Sequence, residues 1–281
     1  MNAMNVINAI LHEARLLLTA VQFLTRVPIP RWVGYQPEWL QGCLRYFPVV
    51  GSLIGLAGAL ALALAAAWWP PAVAVVLSMA CTVWLTGSFH EDGWADTCDA
   101  LGGTVSRERA LEIMKDSRIG TYGSVGLILM LGLKAAVLES LTTPLWPDMV
   151  SAMMALIWCH TASRLVPVWL IRLMPYGGDA AHAKAKPLAM QVTNTGVIIA
   201  TLLTLLLAAA LWGALSCSGR PTAALVNDVL CSLVVMAVGA AICAHWFMRR
   251  LGGFTGDTLG ASQQITEVLG LLSWLMVTHT P

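Results

Sequence analysis

Charge is what this sequence has least of. Only 11% of its 281 residues are Asp, Glu, Lys or Arg, against roughly 25% in an ordinary soluble domain. That shortage excludes a charged, water-facing surface around the whole chain. A net charge of +1 also excludes the broad basic face that nucleic acid requires. Cysteine patterning is missing too. The seven cysteines, at 43, 81, 98, 159, 217, 231 and 243, form no CxxC pair and no Cys/His ligand spacing. No disulfide framework is implied, and most of these thiols lie in apolar runs, where cysteine behaves as a small hydrophobe. Residues 1–8 carry no basic stretch, and no small-residue cleavage motif follows, so the start does not read as a cleaved signal.

What is there instead is apolar length. Hydrophobic residues make up 58% of the chain, gathered into runs that reach the roughly 20 residues needed to cross a bilayer core of about 30 Å. Spans are expected over 47–68, 72–89, 122–141, 149–171, 194–215 and 222–247, with a shorter apolar stretch at 264–278. Trp68-Trp69-Pro70-Pro71 ends the first clear span, with aromatics suited to the headgroup belt and prolines that break the helix. Residues 9–25 are apolar but carry His12, Glu13 and Arg15, which predicts an interfacial or partly inserted helix before Pro28 and Pro30. The fold class that follows is all-α: a polytopic transmembrane helical bundle of about 6–8 membrane helices, organised as one membrane domain over 1–281. Its standing partner is the lipid bilayer. The sequence does not set the oligomeric state, and a homo-oligomer is compatible with it.

The basic residues orient the bundle. Arg15, Arg26, Arg31, Arg45, Arg107, Arg109, Lys115, Arg118, Arg172, Lys184, Lys186, Arg249 and Arg250 all fall in one alternating set of segments: 1–46, 90–121, 172–193 and 248–263. The opposite set holds only Arg220. Basic residues collect on the cytoplasmic side, so the first set is expected there. Lys134, Glu139 and Arg164 fall inside spans. A charge at such a depth is costly and faces a partner or a cavity, while Lys134 and Glu139 are expected to pair or to snorkel near the span ends.

The densest chemistry lies in one of those cytoplasmic segments, His90-Glu91-Asp92-Gly93-Trp94-Ala95-Asp96-Thr97-Cys98-Asp99. At about 100° per residue, Asp92, Asp96 and Asp99 fall within about 60° of arc on one helix face. Carboxylates that close repel unless a cation intervenes. With oxygen donors only, Glu91 among them, the pattern favours Mg²⁺ or Mn²⁺ over Zn²⁺. The bland reading is a solvated acidic helix end that complements the macrodipole. Against it, Glu91, Asp92, Asp96, Asp99 and Asp116 are five of only fifteen acidic residues in the chain.

Two further strings belong with this one. Met114-Lys115-Asp116-Ser117-Arg118-Ile119-Gly120-Thr121-Tyr122-Gly123 offers a fourth carboxylate, two cations, and small residues that let backbone N–H groups approach a phosphate. Residues 107–112 between them are expected to be an ordinary exposed helical stretch. Asp257 sits among four glycines in Leu251-Gly252-Gly253-Phe254-Thr255-Gly256-Asp257-Thr258-Leu259-Gly260, a turn a ligand can approach closely, with Glu267 ten residues on. Lys184 and Lys186, near Asp179 and His182, suit a basic loop over an anionic substrate or serve only as a topology signal. Carboxylates with metal, Arg and Lys at a membrane edge suit transfer of a phosphate-linked group. Asp92, Asp96, Asp99 and Asp116 are the candidate metal ligands or base. A divalent-cation transporter is the rival from another class, though its carboxylates would be expected near the bilayer midplane.

The arrangement of aspartates is similar in kind to the CDP-alcohol phosphotransferases, whose signature resembles DGxxAR followed by GxxxDxxxD. Here Asp92-Gly93 is present, but Asp96 follows Ala95 and no GxxxDxxxD appears. A closer resemblance covers nearly the whole chain. FHEDGWADTCDA (89–100), MKDSRIGTYG (114–123) and GGFTGDTLGA (252–261) resemble the adenosylcobinamide-GDP ribazoletransferase, or cobalamin synthase, family. LLTAVQFLTRVPIP (17–30) and RYFPVVGSLIG (45–55) are similar to it as well. The chain departs at Gln263-Gln264, where family members often carry an acidic residue, and only loosely matches over 175–190. The resemblance implies a Mg²⁺-dependent enzyme of the bacterial inner membrane with its site facing the cytoplasm. It would join adenosylcobinamide-GDP to α-ribazole or its 5′-phosphate and release GMP. Lys115, Ser117, Arg118, Gly120, Asp257, Lys184 and Lys186 are the expected phosphate contacts, and a wide cytoplasm-facing cavity is expected for the corrinoid.

Overall fold

The computed structural model describes residues 3–142, 148–178, 190–216 and 222–279. Their helices, in chain order, are α1 (Ala3–Leu24), α2 (Trp39–Gly42), α3 (Phe47–Ala66), α4 (Pro71–Thr86), α5 (Phe89–Leu101), α6 (Arg107–Ile113), α7 (Thr121–Leu141), α8 (Asp148–Ser163), α9 (Leu165–Leu173), α10 (Asn194–Ser216), α11 (Thr222–Leu251) and α12 (Gly256–His279). Single 3-10 turns at Arg31–Val33 and Cys43–Tyr46 join the first of these. Among the described residues the only β pairing is an isolated bridge between Tyr176 and Phe254. The protein is an all-α, polytopic helical bundle. Six stretches are long and apolar enough to cross a membrane, or seven if the bent pair α4–α5 counts as one span. One of the six is Met4–Leu24, so the N-terminal helix begins earlier and runs longer than the interfacial segment expected at 9–25.

Two expectations about the spans are corrected. The run 72–89 is not one straight helix: α4 and α5 meet at a bend of 89°. Gly87 and Ser88 both adopt left-handed backbone, φ 70° and 61°. Two such residues in a row end one helix and start the next in a new direction. The acid-rich string therefore forms its own helix. The second correction concerns the C-terminal stretch, expected as a shorter apolar segment over 264–278. It is the 24-residue α12, and it packs against α5, α7, α8, α9 and α11. Ser262, Gln263, Gln264, Thr266 and Glu267 lower its hydropathy, yet each is at most 2% exposed.

Glycine sets the closest helix contacts. On α3 a Cβ added at Gly55 would lie 2.7 Å from the Ile157 Cα of α8, and one at Gly51 would collide with the His160 carbonyl. This Gly-x-x-x-Gly stripe lets two backbones touch, as small residues do where apolar burial alone does not drive helices together. Buried apolar residues form two clusters. One, around Leu24, Phe47, Leu101, Val168, Phe247 and Phe254, gathers α1, α3, α5, α9, α11 and the start of α12. The other, around Leu62, Val75, Leu138, Trp158 and Trp274, lies toward the opposite ends of the long helices. The six described cysteines, at 43, 81, 98, 159, 231 and 243, are free thiols in buried or half-buried positions.

Candidate functional site

α5 lies across the start of α12, and glycine again explains the approach. A Cβ at Gly93 would sit 2.8 Å from the Asp257 carbonyl oxygen and 3.3 Å from the Gly260 Cα. The Asp92–Asp96 region and the Gly256-Asp257 turn, 160 residues apart in sequence, thus meet at one end of the bundle. Other segments join them there. Arg107 donates to the carbonyls of Leu251 and Gly177, each at 2.7 Å, and Arg250 donates to those of Leu101 and Gly103, each at 2.9 Å. The Gly177 N–H donates to the Phe254 carbonyl at 2.8 Å, and the Thr255 hydroxyl lies 3.7 Å from Met114 Sδ. Strings that the sequence could place only on a common side are in contact.

The individual residues divide by role. Asp92 is exposed and accepts no side-chain hydrogen bond among the described residues, while Asp96 is half-buried. Asp99 is used differently from the expected metal ligand. It accepts the backbone N–H of Gly120 at 2.7 Å and that of Gly123 at 2.8 Å. Those donors lie at the start of α7 and lack intrahelical partners, so a carboxylate from α5 caps them. Gly120 is corrected with it: its N–H faces Asp99 rather than an approaching phosphate. Asp116 pairs with Arg118, Oδ2 to Nη2 at 2.7 Å and Oδ1 to Nε at 3.0 Å. The Arg118 hydrogen bond lowers the Asp116 carboxyl from 3.8 to about 2. Lys115 and Ser117 are exposed on the same loop, and Asp257 is half-buried in the first turn of α12. Lys184 and Lys186, with Asp179 and His182, lie outside the described residues.

Glu91 points inward instead. It is 8% exposed and accepts the Gln264 amide at 3.1 Å on Oε1, while its Oε2 has no partner. Behind it lies a cluster of charges that the sequence only hinted at. Glu267 accepts from Lys134, from Arg164 at 3.3 Å and from Gln263 at 2.6 Å, with His160 Nδ1 3.0 Å away. All five side chains are buried. Arg164 has the partner expected of a charge inside a span. Lys134 pairs with Glu267 and not with Glu139, because it lies on the face of α7 turned toward α12 while Glu139 is exposed. Glu267 sits in the middle of α12. The available signal was polar residues four apart within apolar runs, 160 with 164 and 263 with 267.

Among the described residues, no three His, Cys, Asp or Glu side chains are gathered closely enough to hold a metal as they stand. The donor set nevertheless suits a hard cation: it is all oxygen, with Asp92 unpaired at the surface and Glu91 Oε2 without a partner. Mg²⁺ in particular is held by one or two carboxylates, with substrate phosphates and water completing its shell. Two partly open hollows among the described residues are lined mainly by apolar side chains. The larger, about 360 Å³, lies between α8–α9 and α11, and the smaller, about 40 Å³, lies beside His90 and Arg164. Neither is a wide cavity of the kind expected for a corrinoid.

Fold and site together define a polytopic helical membrane protein with an acid-rich face at one end of its bundle. The chain belongs to the cobalamin-5-phosphate synthase family, whose model matches residues 16–275. An adenosylcobinamide-GDP ribazoletransferase from Leptothrix cholodnii is 55% identical over 269 residues, covering 95% of this chain and 97% of that protein. Proteins of the same description from Shewanella piezotolerans and Vibrio cholerae are 42% and 41% identical, covering 94% and 92% of the chain and 96% and 92% of their own lengths. No solved structure matches the chain.

Proposed function

We propose that the protein joins adenosylcobinamide-GDP to α-ribazole or its 5′-phosphate at the cytoplasmic face of the bacterial inner membrane and releases GMP. The observation that carries this reading is the meeting of the α5 acidic face with the Gly256-Asp257 turn in a chain of this family. In the reaction a ribose hydroxyl of the ribazole attacks the phosphorus attached to the cobinamide arm. A new P–O bond forms, the bond to the departing GMP phosphate breaks, and the hydroxyl proton passes to a carboxylate. Asp92, exposed on α5 and without a side-chain hydrogen bond among the described residues, is the acceptor for that proton, with half-buried Asp96 one turn on along the same face. Asp99 holds α5 against α7, so the face keeps its position through the cycle. Lys115 and Arg118 supply positive charge toward the phosphates, Arg118 by exchanging its surface pairing with Asp116 for the substrate.

Mg²⁺ fits the same residues. Asp92 and Asp96, with Glu91 Oε2, would hold it, and when bound it supplies charge neutralisation at the pyrophosphate. The excess of Arg and Lys in the segments at this end supports a cytoplasmic orientation. The test is reconstitution in lipid vesicles with Mg²⁺ and both substrates, following GMP release and corrinoid product. Asp96→Asn and a chelator run in parallel. Product that disappears in both controls supports the assignment. Folded wild-type protein that makes no product refutes it.

A further inference from the structure

Two features of the buried cluster ask for a purpose beyond holding helices together. The first is its charge balance. Lys134 and Arg164 are two cations in the interior, and Glu267 supplies a single direct counter-charge. The acid linked to Glu267 through hydrogen bonds is Glu91, at the end of a relay. Gln264 Nε2 donates to Glu91 Oε1 and to Gln263 Oε1, each at 3.1 Å. Gln263 Nε2 in turn donates to Glu267 Oε2 at 2.6 Å and to Ser163 Oγ at 3.0 Å. Leaving one interior charge unbalanced is expensive, so the cluster is neutral only with both carboxylates in place.

The second feature is direction. A carboxylate can only accept, so the amide nitrogens of Gln263 and Gln264 must face Glu267 and Glu91. Every hydrogen on both amides is then used, and neither side chain can turn without leaving a buried donor unpaired. Glu91 is gripped by one oxygen from inside the bundle, and its other oxygen is buried without a partner, one residue before Asp92.

We propose that Gln264 is a positioning residue for the transfer. Anchored through Gln263 on the Lys134–Glu267–Arg164 cluster, it sets the Glu91 carboxylate beneath exposed Asp92, with the enclosed, unpartnered Oε2 left to take the counter-ion that enters with the substrate phosphates. This rests on the proposed function and adds to it a control reaching the site from the membrane interior.

Gln264→Met tests it, since the side chain keeps its length and loses its donors. In vesicles the expected result is a kcat lowered about 10- to 100-fold, the range for removing a hydrogen-bond partner of an active-site ligand. KM for adenosylcobinamide-GDP stays near wild type, while the thermal midpoint falls, as loss of the donor to a buried carboxylate requires, so kcat is read well below that midpoint. In a Glu91→Gln background the same change lowers the residual rate less than about twofold, because the two residues act as one. A kcat within about twofold of wild type, or an equal loss in the Glu91→Gln background, overturns the proposal. A second arm needs no turnover. The carboxylate stretching band assigned to Glu91 by subtracting the Glu91→Gln infrared spectrum shifts in Gln264→Met, and an unmoved band overturns the proposal. Inactive wild-type protein is the separate failure, that of the assigned reaction.

Discussion

Asp92 and Asp99 share a face of α5 and a chemical type, yet their surroundings give them different work. Asp92 is exposed and unpaired, and its loss removes the carboxylate proposed to take the proton without touching packing. Asp92→Asn is expected to lower kcat for GMP release by about 10²- to 10⁴-fold, the usual worth of a positioned acid–base group, with the unfolding midpoint unchanged. Asp99 is spent on two N–H groups at the start of α7. Asp99→Ala is expected to cost about 0.5–2 kcal/mol, as helix-cap losses do, read as a lower thermal midpoint in the same vesicles. Asp116 gives a third kind of prediction. Its folded pKa of about 2 lies below the ordinary 3.8. The ion pair with Arg118 therefore contributes above that ordinary value and is lost as pH falls through about 2. A carbon-detected titration of the Asp116 carboxyl should place its midpoint near 2 and move it toward 3.8 in Arg118→Ala. Because the pair is at the surface, global stability should hardly respond.

At the scale of elements, the site depends on two helices being able to touch. α5 and α12 cross at Gly93 and Gly260, and a methyl at Gly93 has no room against the Asp257 backbone. Gly93→Ala is expected to cost about 1–3 kcal/mol by overpacking and to push the Asp92 face away from the Asp257 turn. Thermal unfolding and GMP release should fall together in that variant, whereas Asp92→Asn separates them. The bend at Gly87-Ser88 has a matching role. A straight continuation of α4 would carry the acidic string onward along the α4 axis, while the turn of 89° lays it across the bundle end.

At the scale of the whole molecule, α12 is the element around which the others are arranged, and Glu267 is its electrostatic centre. Glu267→Gln leaves Lys134 and Arg164 without their shared carboxylate. Breaking a buried pair from one side costs about 3–5 kcal/mol, so the variant should unfold at a clearly lower temperature in detergent. Adding Lys134→Met should recover part of that loss, since one charge of each sign is then gone. A double variant no more stable than Glu267→Gln would show that Lys134 carries little of the burden.

Composition and pattern were enough to read the membrane class, most spans and the acidic string, because a bilayer demands apolar length and one helix face gathers residues three and four apart. Those signals are local, and so was the sharing of a side by the 92–99, 114–118 and 252–261 strings, which followed from where the basic residues fall. What lay beyond them depends on partners far away in sequence. Asp99 meets Gly120 and Gly123 only because α5 crosses α7, and Lys134 finds Glu267 across 133 residues. The role of α12 was hidden for the same reason: polar residues lower a segment's apparent hydrophobicity whether they face water or one another. The sequence by itself determined that this chain is a helical membrane protein with its acids near one end. Only the tertiary structure decided which of those acids are struts, which are available, and which are held from within, since a carboxylate's role is set by the donors that reach it.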